Sequence, residues 1–122
     1  MCLITKEPKQ IAKEDIICYK VMLLRNNNLF SLYYNFEYTL NKLYEIKDMF
    51  VYQINDDIII EKAFHSYKLL KVAVDFQQYL AIYDCAHVIV ECIVPKGAEY
   101  YQNKDYIASN QIIIKNIITC AS

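Results

Sequence analysis

The sequence predicts an α+β domain: a small, mostly antiparallel β-sheet, continuous or split, with one main helix packed on it. Three observations lead there. Short runs of β-branched and aromatic residues recur along the whole chain. Only one segment carries helical periodicity. The length, 122 residues, fits one domain spanning 1–122.

The elements follow in chain order. The first eleven residues read as an arm or short extension. "DIICYKVMLL" alternates weakly and is rich in β-formers, which gives a strand over 16–24. "RNNNLFSLYYN" reads as a long loop, because three successive asparagines favour turns. "NKLYEI" and "MFVYQIN" are short strands flanking a turn at Lys47 and Asp48, and "DIIIEKAF" is a strand entered from the turn at Asn55, Asp56 and Asp57. Ser66 is placed as N-cap of a helix over "YKLLKVAVDFQQYLAIY", with Leu69, Leu70, Ala73, Phe76, Leu80 and Ala81 on one stripe and Lys68, Lys71, Asp75 and Gln78 away from it. "HVIVECIV" is a buried strand over 87–94 and "NQIIIKNIIT" another over 110–119. Between them lie a Pro95-Lys96-Gly97 turn, with glycine permitting a positive φ, and a polar, tyrosine-rich loop.

Composition excludes several classes. The apolar share is 56% and includes twelve tyrosines, which suit a pocket or surface as well as a core. A net charge of −1 supplies no general attraction to nucleic acid or acidic membranes. Arg25 is the only arginine and tryptophan is absent, which further argues against nucleic-acid binding. No apolar run reaches the ~18 residues of a membrane span. The opening "MCLITKEPKQIAKEDI" lacks the apolar core of a signal peptide, so the chain reads as cytoplasmic. Its five cysteines, an odd number, then read as reduced thiols.

Two places can carry chemistry. In "EKAFHSYK", His65 and Ser66 sit where a strand is expected to meet a helix, a junction that aims backbone N–H groups at an anion; capping alone also explains the serine. In "VPKGAEYY", Lys96 at the turn tip can meet a phosphate, and Tyr100 and Tyr101 can stack on a base; a plain turn with tyrosines covering the core explains the same residues. Cys85 and His87 stand two apart, but two ligands make no metal site. Cys2 would become an N-terminal nucleophile on loss of Met1, with nothing else marking such an enzyme. Cys18 and Cys92 read as small core residues. No glycine-rich phosphate loop, zinc-protease pair of histidines or nucleophile elbow is present.

Four segments, taken in order, resemble the mono-ADP-ribosyltransferases. "ICYKVM" resembles the family's opening strand, with Lys20 or Tyr19 at the key position. "AFHSYK" stands at the serine motif, with Ser66 its matching serine. "VECIVPKGAEYY" is similar to the strand and turn before the active-site loop. "YIASNQIII" stands at the Glu-x-Glu segment, with Ser109 and Gln111 in place of the glutamates. The resemblance implies an ADP-ribosyltransferase-like fold with a nucleotide-shaped cleft. Because Gln111 has no charge to stabilise a ribosyl cation, it implies a cleft without transfer. The chain also resembles small bacterial and phage proteins that open on "MCLIT" and carry "FHSYK" and "PKGAEYY".

The expectation is a non-catalytic, cofactor-free binding protein for a small nucleotide-derived ligand, such as a phage anti-defence protein sequestering a host signalling nucleotide. Lys20, His65, Ser66, Lys96, Tyr100, Tyr101 and Gln111 would form its site, with no metal, nucleic-acid or membrane partner, and with homo-oligomerisation left open. The alternatives are a divergent transferase using Glu61, Glu91 or Glu99, and a protein-interaction module presenting tyrosines. The reduced-thiol reading has a direct test. Unfolding in alkylating agent without reductant should add five adducts to the intact mass, and three adducts would reveal a disulfide.

Overall fold

A computed structural model describes residues 3–32, 36–80 and 87–120, the last two of these by backbone only. Thirteen strands and one helix are seen among them. A small sheet has the order β1 (Leu3–Thr5), β8 (Asp57–Lys62), β7 (Phe50–Ile54). A large one runs β2 (Gln10–Ile11), β11 (Glu99–Gln102), β12 (Tyr106–Ser109), β9 (Phe64–Tyr67), β3 (Ile16–Arg25), β10 (His87–Val94), β13 (Gln111–Cys120), β6 (Leu43–Glu45). The short strands β4 (Asn28–Phe30) and β5 (Glu37–Tyr38) extend from β3. Every pairing is antiparallel. The chain is therefore α+β, with one helix, α1 (Leu70–Leu80), laid on the large sheet.

The central strands explain the layering. Along β10, Val88, Val90, Cys92 and Val94 enter one core, while Ile89 enters the core under α1. On β3, Cys18 and Met22 join the first core, and Tyr19 and Val21 the second. A strand buried on both faces reads as a continuous apolar run, which is why "HVIVECIV" stands out in the sequence. A third core, built on Leu3, Ile60 and Ala108, joins the small sheet to the large one. Only Ala63 separates β8 from β9, so the chain passes directly from one sheet into the other.

Four expectations are corrected. The first eleven residues are not a free arm: Leu3–Thr5 pairs with β8, and Gln10–Ile11 with β11. The asparagine-rich stretch opens on a two-residue hairpin turn, since Arg25 pairs with Asn28 and both Asn26 (φ 51°) and Asn27 (φ 67°) take the left-handed conformation a type I′ turn demands; Tyr33, Tyr34 and Asn35 of the expected loop lie outside the described residues. The tyrosine-rich loop is the β11–β12 hairpin, closed by Asn103, whose Oδ1 accepts the backbone N–H groups of Asp105 and Tyr106. Ser66 is no helix cap. Its segment stays in the sheet, pairing with Ile107, and the ladder reaches Lys68, whose N–H donates to Asp105 O at 2.9 Å.

Those backbone groups are committed to strand partners, so α1 starts three residues later than expected, at Leu70 instead of Tyr67. Leu69 and Leu70 are consequently exposed, while Ala73, Phe76 and Leu80 keep their places on the packed face. Helix α1 carries no acidic residue in its first turn and relies on that packing, including a buried hydrogen bond from Gln77 Nε2 to His87 O at 3.1 Å. Ala81, placed on the stripe, and Cys2 and Cys85 lie outside the described residues.

The Pro95–Ala98 turn is closed by Ala98 N–H on Pro95 O at 3.0 Å, with Gly97 at φ 92°. It is fastened to the N-terminal segment: Gly97 N–H donates to Ala12 O, Ala12 N–H to Ala98 O, and Lys96 N–H to Asp15 Oδ1 at 2.9 Å. A Cβ at Gly97 would meet nothing within 4 Å, so only the backbone conformation requires glycine there. Urea denaturation should therefore show Gly97→Ala destabilised by about 1–2 kcal/mol and Asp15→Ala by about 1 kcal/mol. Lys96→Ala, which keeps the backbone N–H, should change stability by less than about 0.5 kcal/mol.

Candidate functional site

The site begins as a fork in the sheet. One edge of β3 pairs with β10 without interruption from Ile16 to Leu23. The other edge is shared: Tyr19 pairs with Tyr67 of β9, and pairing resumes only at Leu23 with Phe30 of β4. Lys20, Val21 and Met22 stand between the two pairings. Where the β3–β9 ladder stops, the Lys20 side chain takes over the role of a strand, its Nζ donating to His65 O at 2.5 Å.

A cavity of about 620 Å³ opens at this fork, a volume suited to a small organic ligand. Its walls draw on both cores. Tyr38, Tyr44 and Phe64 come from the side of Cys18 and Met22, and Val21, Tyr67 and Phe76 from the side of α1. Phe36, Tyr38 and Tyr44 meet edge to face, with centroids 4.9 Å apart for Phe36–Tyr38 and Tyr38–Tyr44 and 5.7 Å for Phe36–Tyr44. Burial pushes the Tyr38 hydroxyl up to about 12, so that ring stays neutral. Phe36 and Phe50 also line the cavity, yet are 49% and 53% exposed. Aromatic rings left wet beside an apolar cavity provide ready stacking surface.

The polar groups are few. Lys20, Lys62 and His65 bring positive or ionisable nitrogen, and Glu45 and Glu61 bring carboxylates. Each carboxylate is held by a neutral donor: Gln111 Nε2 donates to Glu45 Oε2 at 2.5 Å, and Tyr52 OH to Glu61 Oε1 at 3.0 Å. Among the described residues the ion pairs are Lys6–Asp57 and Lys9–Glu99, both away from the fork. Lys20 thus has a carbonyl partner and no carboxylate, and burial lowers its pKa.

Beneath Lys20, on the same face of β3, Cys18 lies directly across from Cys92 of β10, and both are fully buried free thiols. The Cys92 thiol is the main group holding Cys18 down, helped by Ser66 and Lys20 against the effect of burial. Burial pushes Cys92 well up. The Ser66 hydroxyl, beside Cys18, has no hydrogen-bond partner of good geometry, and neither has the buried Nδ1 of His65. The other ring nitrogen, Nε2, lies 3.1 Å from Glu61 O, which it serves as donor; Nδ1 is then an unused acceptor in the neutral ring.

The seven residues singled out from the sequence fall in different places. Lys20 and His65 line the cavity. Gln111 reaches it through Glu45. Ser66 is buried at the thiols, and Tyr100 is buried with its hydroxyl on Gln10 Oε1 at 3.1 Å. Tyr101 lines a second, more polar cleft with Lys9, Lys47 and Glu99, and Lys96 is exposed at its turn. Sequence reasoning missed Phe36, Tyr38, Tyr44, Phe50 and Phe76. The aromatic density of "LFSLYYNFEYTLNKLY" is the available signal: the loop reading ends at Asn35, Phe36 and Tyr38 fall in no expected element, and Tyr44 falls in a short strand.

Comparison with protein-family models, curated proteins and solved structures gives no match. Fold and site alone define the class: a small α+β protein with a ligand-sized, aromatic-walled cavity in a forked antiparallel sheet.

Burial lowers the His65 pKa, the Lys20 charge acting in the same direction and the Glu61 carbonyl opposing both. Below the unfolded value of about 6.5, the unfolded chain therefore binds the proton more readily. His65 contributes stability above that pH and loses it as pH falls through the lower, folded value. Thermal melts from pH 7.5 down to 5 should show wild type losing more stability than His65→Gln; parallel curves would contradict the assignment.

Proposed function

We propose that this protein binds a small nucleotide-derived ligand in the fork cavity and does not turn it over. The observation that carries the proposal is the cavity itself, in which stacking rings stand beside Lys20, Lys62 and His65. Phe36 and Phe50 offer faces to a base, the exposed Lys62 offers charge to a phosphate, and Lys20 and His65 offer hydrogen bonds to a ribose. The forked sheet with its single helix supports an ADP-ribosyltransferase-like reading of the fold. In that reading the likeness extends to the cleft but not to transfer, because Gln111 is engaged with Glu45 and carries no charge. The biological setting we propose is sequestration of a host signalling nucleotide by a phage anti-defence protein, a task within reach of one 122-residue domain.

A divergent transferase has one specific support, Glu61, which lines the cavity. Turnover of NAD by purified protein, lost in Glu61→Gln, would favour that reading. The binding reading expects none.

Native mass spectrometry of protein expressed in cells should show a retained nucleotide, and calorimetry should measure binding of ADP-ribose and ADP. Base–aromatic stacking is worth about 1–3 kcal/mol, so Phe36→Ala and Phe50→Ala should each weaken binding roughly 5- to 150-fold. Both side chains are half exposed, so melting temperatures should barely move. Affinity indifferent to both changes but lost in Tyr101→Ala would move the site to the second cleft.

A further inference from the structure

We infer that Lys20 captures its ligand covalently and reversibly, as an imine with the open-chain aldehyde of a nucleotide that ends in a free ribose. The inference rests on the binding reading above and adds the ligand's reactive end.

The geometry comes first. Lys20 lines the cavity, and its Nζ is fixed by the hydrogen bond to His65 O. That bond needs one N–H, which an ammonium, a neutral amine and a protonated imine can all supply. The imine that leaves this tie of the sheet intact is therefore the protonated one.

The second argument concerns charge. Both carboxylates of the cavity wall are held by Gln111 and Tyr52, and the ion pairs of the described residues lie elsewhere. On the same strand face as Lys20 stand the thiols of Cys18 and Cys92, with the Ser66 hydroxyl beside Cys18. An amine taken out of water without a carboxylate favours its neutral, nucleophilic form. Burial lowers the Lys20 pKa in keeping with this, while any negative charge on the two thiols opposes it. Every other lysine of the cavity wall, namely Lys62, is exposed and in water.

The step balances without a redox partner. The Nζ lone pair adds to the aldehyde carbon, and the carbonyl electron pair moves to oxygen, which takes up the proton released by nitrogen. The carbinolamine then loses its hydroxyl as hydroxide while the C=N bond forms, giving a protonated imine whose N–H keeps the bond to His65 O; the hydroxide takes a proton from solvent and leaves as water, so one C–N bond is made and the C–O bond is broken. Hydrolysis reverses the sequence and returns the ligand unchanged.

The test is to incubate folded protein with ADP-ribose and cyanoborohydride at neutral pH and map the reduced adducts on peptides. Labelling of Lys20 should exceed that of the exposed Lys96, because the cavity holds the ligand against Lys20 and not against Lys96. Excess ADP, which has no free aldehyde, should suppress it. Lys20→Arg keeps a donor for His65 O but no nucleophilic amine, and should lose the adduct. If this variant fails to fold, the Lys20-to-Lys96 ratio in wild type decides by itself. Labelling of exposed lysines with Lys20 untouched, while ADP still binds by calorimetry, would overturn the imine and leave the binding reading standing. Absence of binding by both ADP and ADP-ribose would overturn both.

Discussion

The hydrogen bond from Lys20 Nζ to His65 O joins the halves of the structure where their backbones cease to do so. A strand edge that loses its neighbour leaves carbonyls unpaired, and a buried unpaired carbonyl costs about 1–3 kcal/mol. At the fork of β3 the cost is met by a side chain instead of a strand. Because a side chain is slimmer than a strand, the two arms can diverge and still be tied. The space they leave is the cavity, and Lys20 lines it because it provides the tie.

The rest of the molecule keeps that gap open. β10 supports β3 from Ile16 to Leu23 on the unforked edge, and the alternating side chains of β10 fill one core and the core beneath α1. α1 covers one side of the fork with Phe76, and Tyr38 and Tyr44 cover the other. The direct passage from β8 through Ala63 into β9 sets Glu61, Lys62 and His65 along a single wall. Most of the wall residues thus sit on elements held by sheet pairing, a firmer support than a loop, while Phe36 stands just before β5 and Phe76 on α1.

Turn chemistry shows a related economy. With one glycine in the chain, asparagine supplies the left-handed residues: Asn26, Asn27, Asn41 and Asn55 all have positive φ. Asparagine tolerates that region better than other side-chain-bearing residues because its short amide bonds locally. This is why "RNNNLF" closes a tight hairpin where a run of asparagines suggests a long loop. The hairpin in turn places β4 against the far end of β3 and so fixes the upper limit of the fork.

The sequence by itself determined the strands whose patterns are strongest. Val, Ile and Cys in "HVIVECIV" leave few conformations other than a buried strand, and the expected limits of 87–94 match β10. It also determined the apolar stripe of Ala73, Phe76 and Leu80, and the turn that needs Gly97. It marked His65 for its local setting, and Lys20 through a family resemblance alone. Tertiary structure decided the rest. "FHSY" suits a strand end or a helix start equally well until Ile107 and Tyr67's partner Tyr106 claim its backbone, and only that pairing moves the helix start past Lys68. Whether Tyr100 is core and Phe50 is exposed depends on which sheet covers each, since both residue types satisfy either place. The cavity is the extreme case. It exists because two strands from distant parts of the chain stop sharing one edge, and the point where a ladder ends is set by packing across the whole fold.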